Sequence, residues 1–405
     1  MFRKIKELIN KWKYSKVLKK HTESETLFID LGSTSIKCAY KGELISFKSS
    51  IRKVTDVNEI TPATKNYIKV NDEYFIIGES EKSNEVCEYK VDRNYIDIMI
   101  LYSLKVFREK GIQVSNNIKL NILLPFNEIQ FKNKLEKRLN GLYKVDDEQV
   151  TLTVSKVFCE GECSSVFYKE HYRSKGNVVV INIGGKTTDT LLINSDGNRE
   201  KIVSIDLGTQ YLLSQITRYT KAPTSNVLNT WLVDGYKFTK EEQEHLGQAG
   251  KEFISNIWND LYAGVIKIAN YQNTEIICVG GGSNILKECI QEAIPKGYKV
   301  KTLSSYENIY SDILGAMLLS KESVTINNTP KEEIKEFIEE VALDLDVPEV
   351  IVAATTEKKT KYQIFCELFE SGLSSDEIMA RTNMAKQTFK NYKCKYTKEL
   401  KLVEV

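Results

Sequence analysis

Asp30, Gly32, Ser33, Thr34 and Lys37 stand together where an apolar run ends, in Leu27-Phe28-Ile29-Asp30-Leu31-Gly32-Ser33-Thr34-Ser35-Ile36-Lys37, and these residue types suit phosphate chemistry. A glycine lacks the Cβ that keeps a backbone away from a ligand, so the N–H groups of such a turn approach phosphate oxygens, and Ser and Thr hydroxyls add donors. A carboxylate at the strand tip suits magnesium held through water, because that ion keeps most of its hydration shell and uses few protein carboxylates. Asp30 is the candidate for that role, and Lys37 brings positive charge to the phosphates from across the hairpin. Two more turns of this kind follow. Val178 to Asp189 contains Gly184, Gly185, Lys186 and Thr187, and Ile276 to Asn284 contains Gly280, Gly281, Gly282 and Ser283. One glycine turn is an ordinary hairpin; three in this order predict a two-lobed nucleotide clamp.

Each turn needs a buried strand to deliver it. Hydrophobic patterning predicts strands at Thr26–Ile29, Ile36–Tyr40 and Tyr74–Ile77, a helix over 96–110, and a strand at Leu120–Leu124 that Pro125 ends. A helix over Phe131–Leu139 follows, then an alternating strand, Gln149–Val157, that leads to Glu160.

The order Asp30-x-Gly32-x-x-x-x-Lys37, Glu160-Gly161, Gly184-Gly185-x-Thr187-x-Asp189 and Gly280-Gly281-Gly282 resembles the actin, heat-shock chaperone and sugar kinase superfamily over residues 25–325. Within it, the sequence is most similar to bacterial actins that segregate plasmids, the ParM and Alp group. The resemblance implies an α/β, actin-like two-lobed ATPase fold built from duplicated ribonuclease H-like domains. It also implies ATP or GTP with Mg²⁺ as cofactors, and hydrolysis coupled to assembly of a homopolymeric filament, since heterologous contacts that do not close generate fibres. The family places a Glu or Gln at the position of Glu160 to orient the attacking water, which suffices where catalysis is mainly positioning and electrostatics. Asn182 stands where the plasmid actins usually carry an aspartate for the metal-bound water; it keeps hydrogen bonding and loses the charge. Asp189 is then the only acid of the second turn, with its side chain available to satisfy backbone groups. The third turn offers a flat backbone for an adenosine and begins a helix whose N-terminus favours anions. Asp312-Ile313-Leu314-Gly315-Ala316 resembles the second hinge helix, with Asp312 where Asn is common. A sugar kinase needs a base aspartate that has no counterpart here, and a chaperone needs a β-rich substrate domain.

Composition agrees. With 405 residues, 41% hydrophobic and 28% charged, the chain can bury two or three cores. No stretch has the roughly 18 apolar residues that span a bilayer, and no signal peptide is evident, so a cytoplasmic location is expected. The eight cysteines form no C-x-x-C pair and the three histidines are far apart, which argues against a disulfide framework, a zinc site or a histidine centre.

The two ends differ from the middle. Residues 1–24 form a basic amphipathic extension: Met1 to Lys20 holds eight basic residues and one acid, with Phe2, Ile5, Leu8, Ile9 and Trp12 at helical spacing. Such a helix lies on an anionic membrane or docks on its own subunit or a filament neighbour, the second being favoured. Lobe I is expected over 25–175, completed by about 305–325, lobe II over 176–304, and an acidic linker over 326–357. Residues 358–405 have the pattern of a small all-α helix-turn-helix domain: a helix over Tyr362–Phe369, Gly372 as its stop, Ser374-x-x-Glu377 as a capping box and Asn383 in the turn. The third helix presents Lys386, Gln387, Lys390, Asn391 and Lys393, a polar and basic face suited to a major groove. The expected partners are further copies of the chain and centromere-like DNA, directly or through an adaptor. Two other readings stay open: a membrane-associated structural actin, and a nucleotide-sensing DNA-binding regulator.

Overall fold

The computed structural model describes residues 14–61, 64–78, 89–219, 239–261, 264–265, 273–294 and 298–320. The helix-turn-helix expectation, with Lys386, Gln387, Lys390, Asn391 and Lys393, the acidic linker and the first thirteen residues lie outside these.

Two mixed sheets organise the described residues. The first comprises β1 (Thr26–Leu31), β2 (Ser35–Tyr40), β3 (Glu43–Lys48), β4 (Ile51–Lys53), β5 (Tyr67–Val70), β6 (Glu73–Ile77), β7 (Asn117–Leu124), β8 (Gly141–Val145) and β9 (Glu148–Cys159), in the order β3-β2-β1-β7-β9-β8-β5-β6-β4. The second comprises β10 (Asn177–Ile183), β11 (Thr188–Ile193), β12 (Arg199–Ile205), β13 (Thr274–Val279) and β14 (Lys299–Thr302), in the order β12-β11-β10-β13-β14. One pattern occurs twice. In β3-β2-β1-β7-β9 and again in β12-β11-β10-β13-β14, the first three strands are antiparallel and the last two join in parallel. The central strands β1 and β10 are near-continuous apolar runs, and the side chains on both of their faces pack into hydrophobic cores.

The helices are α1 (Ser15–Lys19), α2 (Ile96–Glu109), α3 (Lys132–Leu139), α4 (Glu162–Tyr172), α5 (Thr209–Tyr219), α6 (Lys240–Leu261), α7 (Gly281–Ile285), α8 (Lys287–Ala293) and α9 (Ser305–Ser320). Where boundaries depart from the sequence reading, local chemistry explains it. The first strand runs on to Leu31, because Asp30 is held in the ladder between Lys37 on β2 and Leu123 on β7. The helix expected from Phe131 is preceded by a 3-10 stretch, Phe126–Phe131, that follows Pro125 and becomes α-helical at Lys132. The helix of the third turn is only five residues long, since Gly281 and Gly282 open it and glycine is a poor helix former.

Helices α4 and α9 join the halves. Glu160-Gly161 leads from β9 into α4, which continues to β10, while α9 follows β14 and packs against α4 and β1. They cross closely at Gly315, where a Cβ would lie 1.8 Å from the Cys163 carbonyl oxygen. Around the crossing lies a core of Phe28, Leu123, Phe167, Ile313, Leu314 and Met317. Each fully buried side chain of this size contributes about 1.5–3 kcal/mol. The described part of the N-terminal extension docks here on its own chain: Tyr14 stacks on Tyr306 with ring centroids 5.4 Å apart, Leu18 joins the core, and His21 Nε2 meets the Met317 carbonyl at 3.1 Å. The described cysteines are free and buried, as packing residues are. Among the described residues, no helix is long and apolar enough to cross a membrane.

Candidate active site

Strand β1 ends by presenting Asp30, and the hairpin places Lys37 directly across from it, with Nζ 2.6 Å from Asp30 Oδ2. A second lysine, Lys90, stands on a one-turn 3-10 helix, Lys90–Asp92, and its Nζ lies 3.2 Å from Asp30 Oδ1 and 2.5 Å from Glu160 Oε1. Asp30, Glu160 and both lysines are largely withdrawn from solvent. Burial alone would raise the Asp30 carboxyl; the two lysines outweigh it and hold Asp30 well below the usual carboxylate range. Burial raises Glu160, Lys90 opposes, and Asp30 and Asp312 raise it further, to about 8.

The first turn is braced from behind. Arg93 donates to the Leu31 and Gly32 carbonyls at 3.3 and 2.9 Å and to the Ser49 carbonyl at 3.2 Å. Ser49 in turn donates through Oγ to the Ser33 carbonyl at 2.6 Å and through its N–H to the Thr34 carbonyl at 3.1 Å. The carbonyl oxygens of the turn are thereby turned onto protein donors, which suits a loop that must offer N–H groups to an anion.

The second turn closes on itself through Gly184 N–H to the Thr187 carbonyl at 2.9 Å, and α5 donates to it, Thr209 N–H to Gly184 and Gln210 N–H to Gly185. It lies face to face with the first: a Cβ on Gly185 would sit 2.4 Å from Ser33 Oγ and 3.0 Å from Thr34 Cγ2. Asp189 differs from expectation. Instead of backbone groups, its carboxylate accepts from the hydroxyls of Thr187 at 3.2 Å and Ser204 at 2.5 Å, side chains that the β11–β12 hairpin brings alongside. Asn182 is paired in register with Asp189 and Val279 and is buried at the end of β10.

The third turn adjoins Asn182. Gly280 has φ of +84°, and a Cβ there would lie 2.6 Å from Asn182 Oδ1. Gly282 packs on Ile183 and Thr209, Gly281 faces open space, and Ser283 Oγ donates to the Val279 carbonyl at 2.5 Å. Because α7 is one turn and a half, its dipole is small, and what this turn offers a ligand is backbone shape rather than the helix field expected from sequence.

Asp312, on α9, reaches the start of α4: one carboxylate oxygen accepts from Gly161 N–H at 2.7 Å, Ser164 N–H at 3.0 Å and Ser164 Oγ at 2.7 Å. It fixes the backbone that carries Glu160. The structure thus brings Asp30, Lys37 and Glu160 together around Lys90, sets Gly185 against Ser33 and Thr34, and sets Gly280 against Asn182. Sequence reasoning missed Lys90, Arg93 and Ser49, which belong to no motif and reach the site only through the fold.

No family model matches the chain, and no curated protein matches it by sequence. Solved structures do. The archaeal actin homolog Ta0583 matches at 18% identity over 74% of this chain and 99% of that one, with a TM-score of 0.56. The psk41 ParM protein matches at 16% over 73% and 96%, TM-score 0.53, and actin-like protein Alp7A at 14% over 78% and 99%, TM-score 0.57. Ta0583 is also similar in its complex with ADP, and so is a ParM from Clostridium botulinum solved as a 15-stranded filament, at 20% identity over 74% and 99%, TM-score 0.53. The repeated sheet pattern, the paired turns and these neighbours together establish that the chain has the actin-like two-lobed fold, with archaeal and bacterial actin homologs of the ParM and Alp kind as its structural neighbours.

Proposed function

We propose that this chain is an actin-like ATPase that assembles into filaments and segregates or positions plasmid or other extrachromosomal DNA. The observation that carries the reading is the face-to-face contact of Gly185 with Ser33 and Thr34, from two different sheets, beside the Asp30–Lys90–Glu160 cluster. Two phosphate turns from two lobes form a clamp that a nucleotide closes. In it the backbone N–H groups of Gly32 to Thr34 and Gly184 to Thr187 hold phosphates, and Gly280 to Ser283 lie against the nucleoside. Glu160 accepts a hydrogen bond from the water that attacks the terminal phosphorus, and the bond to the bridging oxygen breaks to give ADP and inorganic phosphate.

Magnesium fits the donor set: a hard carboxylate at the tip of β1 that already faces a cation, the Lys90 ammonium. Asp30 would hold the ion through water, and the ion would supply charge neutralisation on the phosphates. The ADP complex of Ta0583 and the ParM filament support nucleotide binding and self-assembly. Coupling between the two runs through α4 and α9, because Asp312 ties the segment bearing Glu160 to the second helix of the hinge. Direct DNA binding by residues 358–405, with Lys386 and Lys390 on phosphates and Gln387 or Asn391 on adenine, completes the proposal; a filament would array many weak DNA sites in register and raise avidity.

Titration of a fluorescent ATP analogue with Mg²⁺ tests the clamp. Gly185→Val forces the two turns apart, so affinity falls by about tenfold or more while the melting profile of the fold is kept. Unchanged affinity in that variant contradicts the proposed site.

A further inference from the structure

Lys90 is built into its position from both sides. Val91, next to it and fully buried, donates its N–H to the buried Glu128 carboxylate at 3.0 Å, and Arg138 donates to the Val91 and Arg93 carbonyls at 3.0 and 2.6 Å. A lysine on an anchored turn cannot drift far, and its ammonium lies between two carboxylates that come from different strands, Asp30 at the tip of β1 and Glu160 at the end of β9. With Lys37 on the other oxygen of Asp30, these four side chains balance when both acids are ionised, two carboxylates against two ammonium groups.

We infer that Lys90 is a positioning residue, a tethered cation that neutralises the Asp30–Glu160 pair in the empty cleft, so that a divalent ion enters this site only together with nucleotide phosphates. The part concerning nucleotide rests on the reading proposed above; the part concerning the empty cleft does not. A divalent ion arriving alone would add two positive charges to a buried neutral cluster, and buried charge without a counter-charge is costly. Arriving with phosphates it brings its own compensation. With both acids ionised, as a divalent ion would hold them, removing Lys90 leaves these side chains with one net negative charge and two hard carboxylates that had shared one ammonium, a donor set suited to such an ion.

The experiment is Mn²⁺ binding to the full chain without nucleotide, followed by electron paramagnetic resonance and calorimetry. Lys90→Met should gain one bound Mn²⁺ per chain, about tenfold tighter or more than wild type, while Lys90→Arg stays as weak as wild type. Lys90→Met/Glu160→Gln, in which the extra charge is also removed, should lose the gain. A folded Lys90→Met chain with wild-type Mn²⁺ affinity overturns the inference, and so does a double variant that binds as tightly as Lys90→Met. If Lys90→Met does not fold, the wild-type chain decides alone: Mn²⁺ affinity without nucleotide must be about tenfold or more below that with a non-hydrolysable ATP analogue, and equal affinities overturn the inference. A wild-type chain that binds no ATP analogue removes the proposed function, yet leaves the comparison of Lys90→Met with wild type, made without nucleotide, to judge Lys90.

Discussion

Two acids and two lysines share the cleft, and their protonation sets what the cleft can do. In the proposed reaction Glu160 polarises the attacking water best as a carboxylate, the stronger acceptor, and its carboxyl is pushed up to about 8 by burial and by Asp30 and Asp312 against the pull of Lys90. Turnover therefore rises with pH through the neutral range. Asp312→Asn keeps a side chain that can accept from Gly161 and Ser164 but removes one of the charges that raise Glu160, so the acid limb of kcat/KM moves to lower pH. A pH profile identical to wild type contradicts that coupling. Lys90→Met should lower kcat by about 10²–10³, the range for loss of one preorganised charge, with a smaller change in KM; equal changes in both would point to simple loss of binding. Asp30, Lys37 and Glu160 were legible in the sequence because each lies in or beside a strand-turn pattern with its own logic. Lys90 was not: it is 60 residues from Asp30 and 70 from Glu160, and nothing local distinguishes it from a surface lysine.

At the scale of elements, the hinge pair α4 and α9 bears on stability and motion together. Ser304 and Glu307 form a capping box at the start of α9: the Glu307 carboxylate accepts from Ser304 N–H at 2.7 Å, and Ser304 Oγ accepts from Glu307 N–H at 3.3 Å. Burial pushes Glu307 up, and the nearby Tyr14 hydroxyl together with hydrogen bonds from Ser304 and Tyr172 outweighs it and holds the carboxyl down at about 2. A depressed carboxyl stabilises the fold above its unfolded value near 4.5, and that contribution is lost as the pH falls from there towards 2. Glu307→Gln should therefore flatten acid unfolding over this window, and Glu307→Ala should cost about 1 kcal/mol at neutral pH through loss of the cap; urea melts across pH measure both. Gly315→Ala should cost about 1–3 kcal/mol by overpacking and slow closure of the lobes, since its Cβ meets the Cys163 carbonyl. The strands were readable because β1, β10 and β13 are apolar runs ending at turn residues. The close crossing at Gly315 was not, for a glycine at a helix contact looks in sequence like any other glycine in a helix.

For the whole molecule, the two lobes are one topology used twice: the first two turns follow the corresponding strands β1 and β10, and the third follows β13, the counterpart of β7. The order of the motifs pointed to two lobes and the resemblance they carry implied the duplication, whereas the extension of the first sheet by β8, β5, β6 and β4 was not legible, because short alternating strands carry no signal of their partners. Tyr14 and Leu18 dock on the hinge core, while the amphipathic face from Phe2 to Trp12 lies outside the described residues. Replacing Lys386 and Lys390 together should abolish DNA binding, seen as lost fluorescence anisotropy at low salt, while ATP-dependent assembly survives; loss of both activities at once contradicts two separable modules. The most direct test of the account is light scattering with negative-stain microscopy of the full chain in ATP and Mg²⁺, beside Glu160→Ala. The account predicts filaments in both, longer-lived in the variant because hydrolysis no longer weakens their contacts; no assembly with any nucleotide contradicts it.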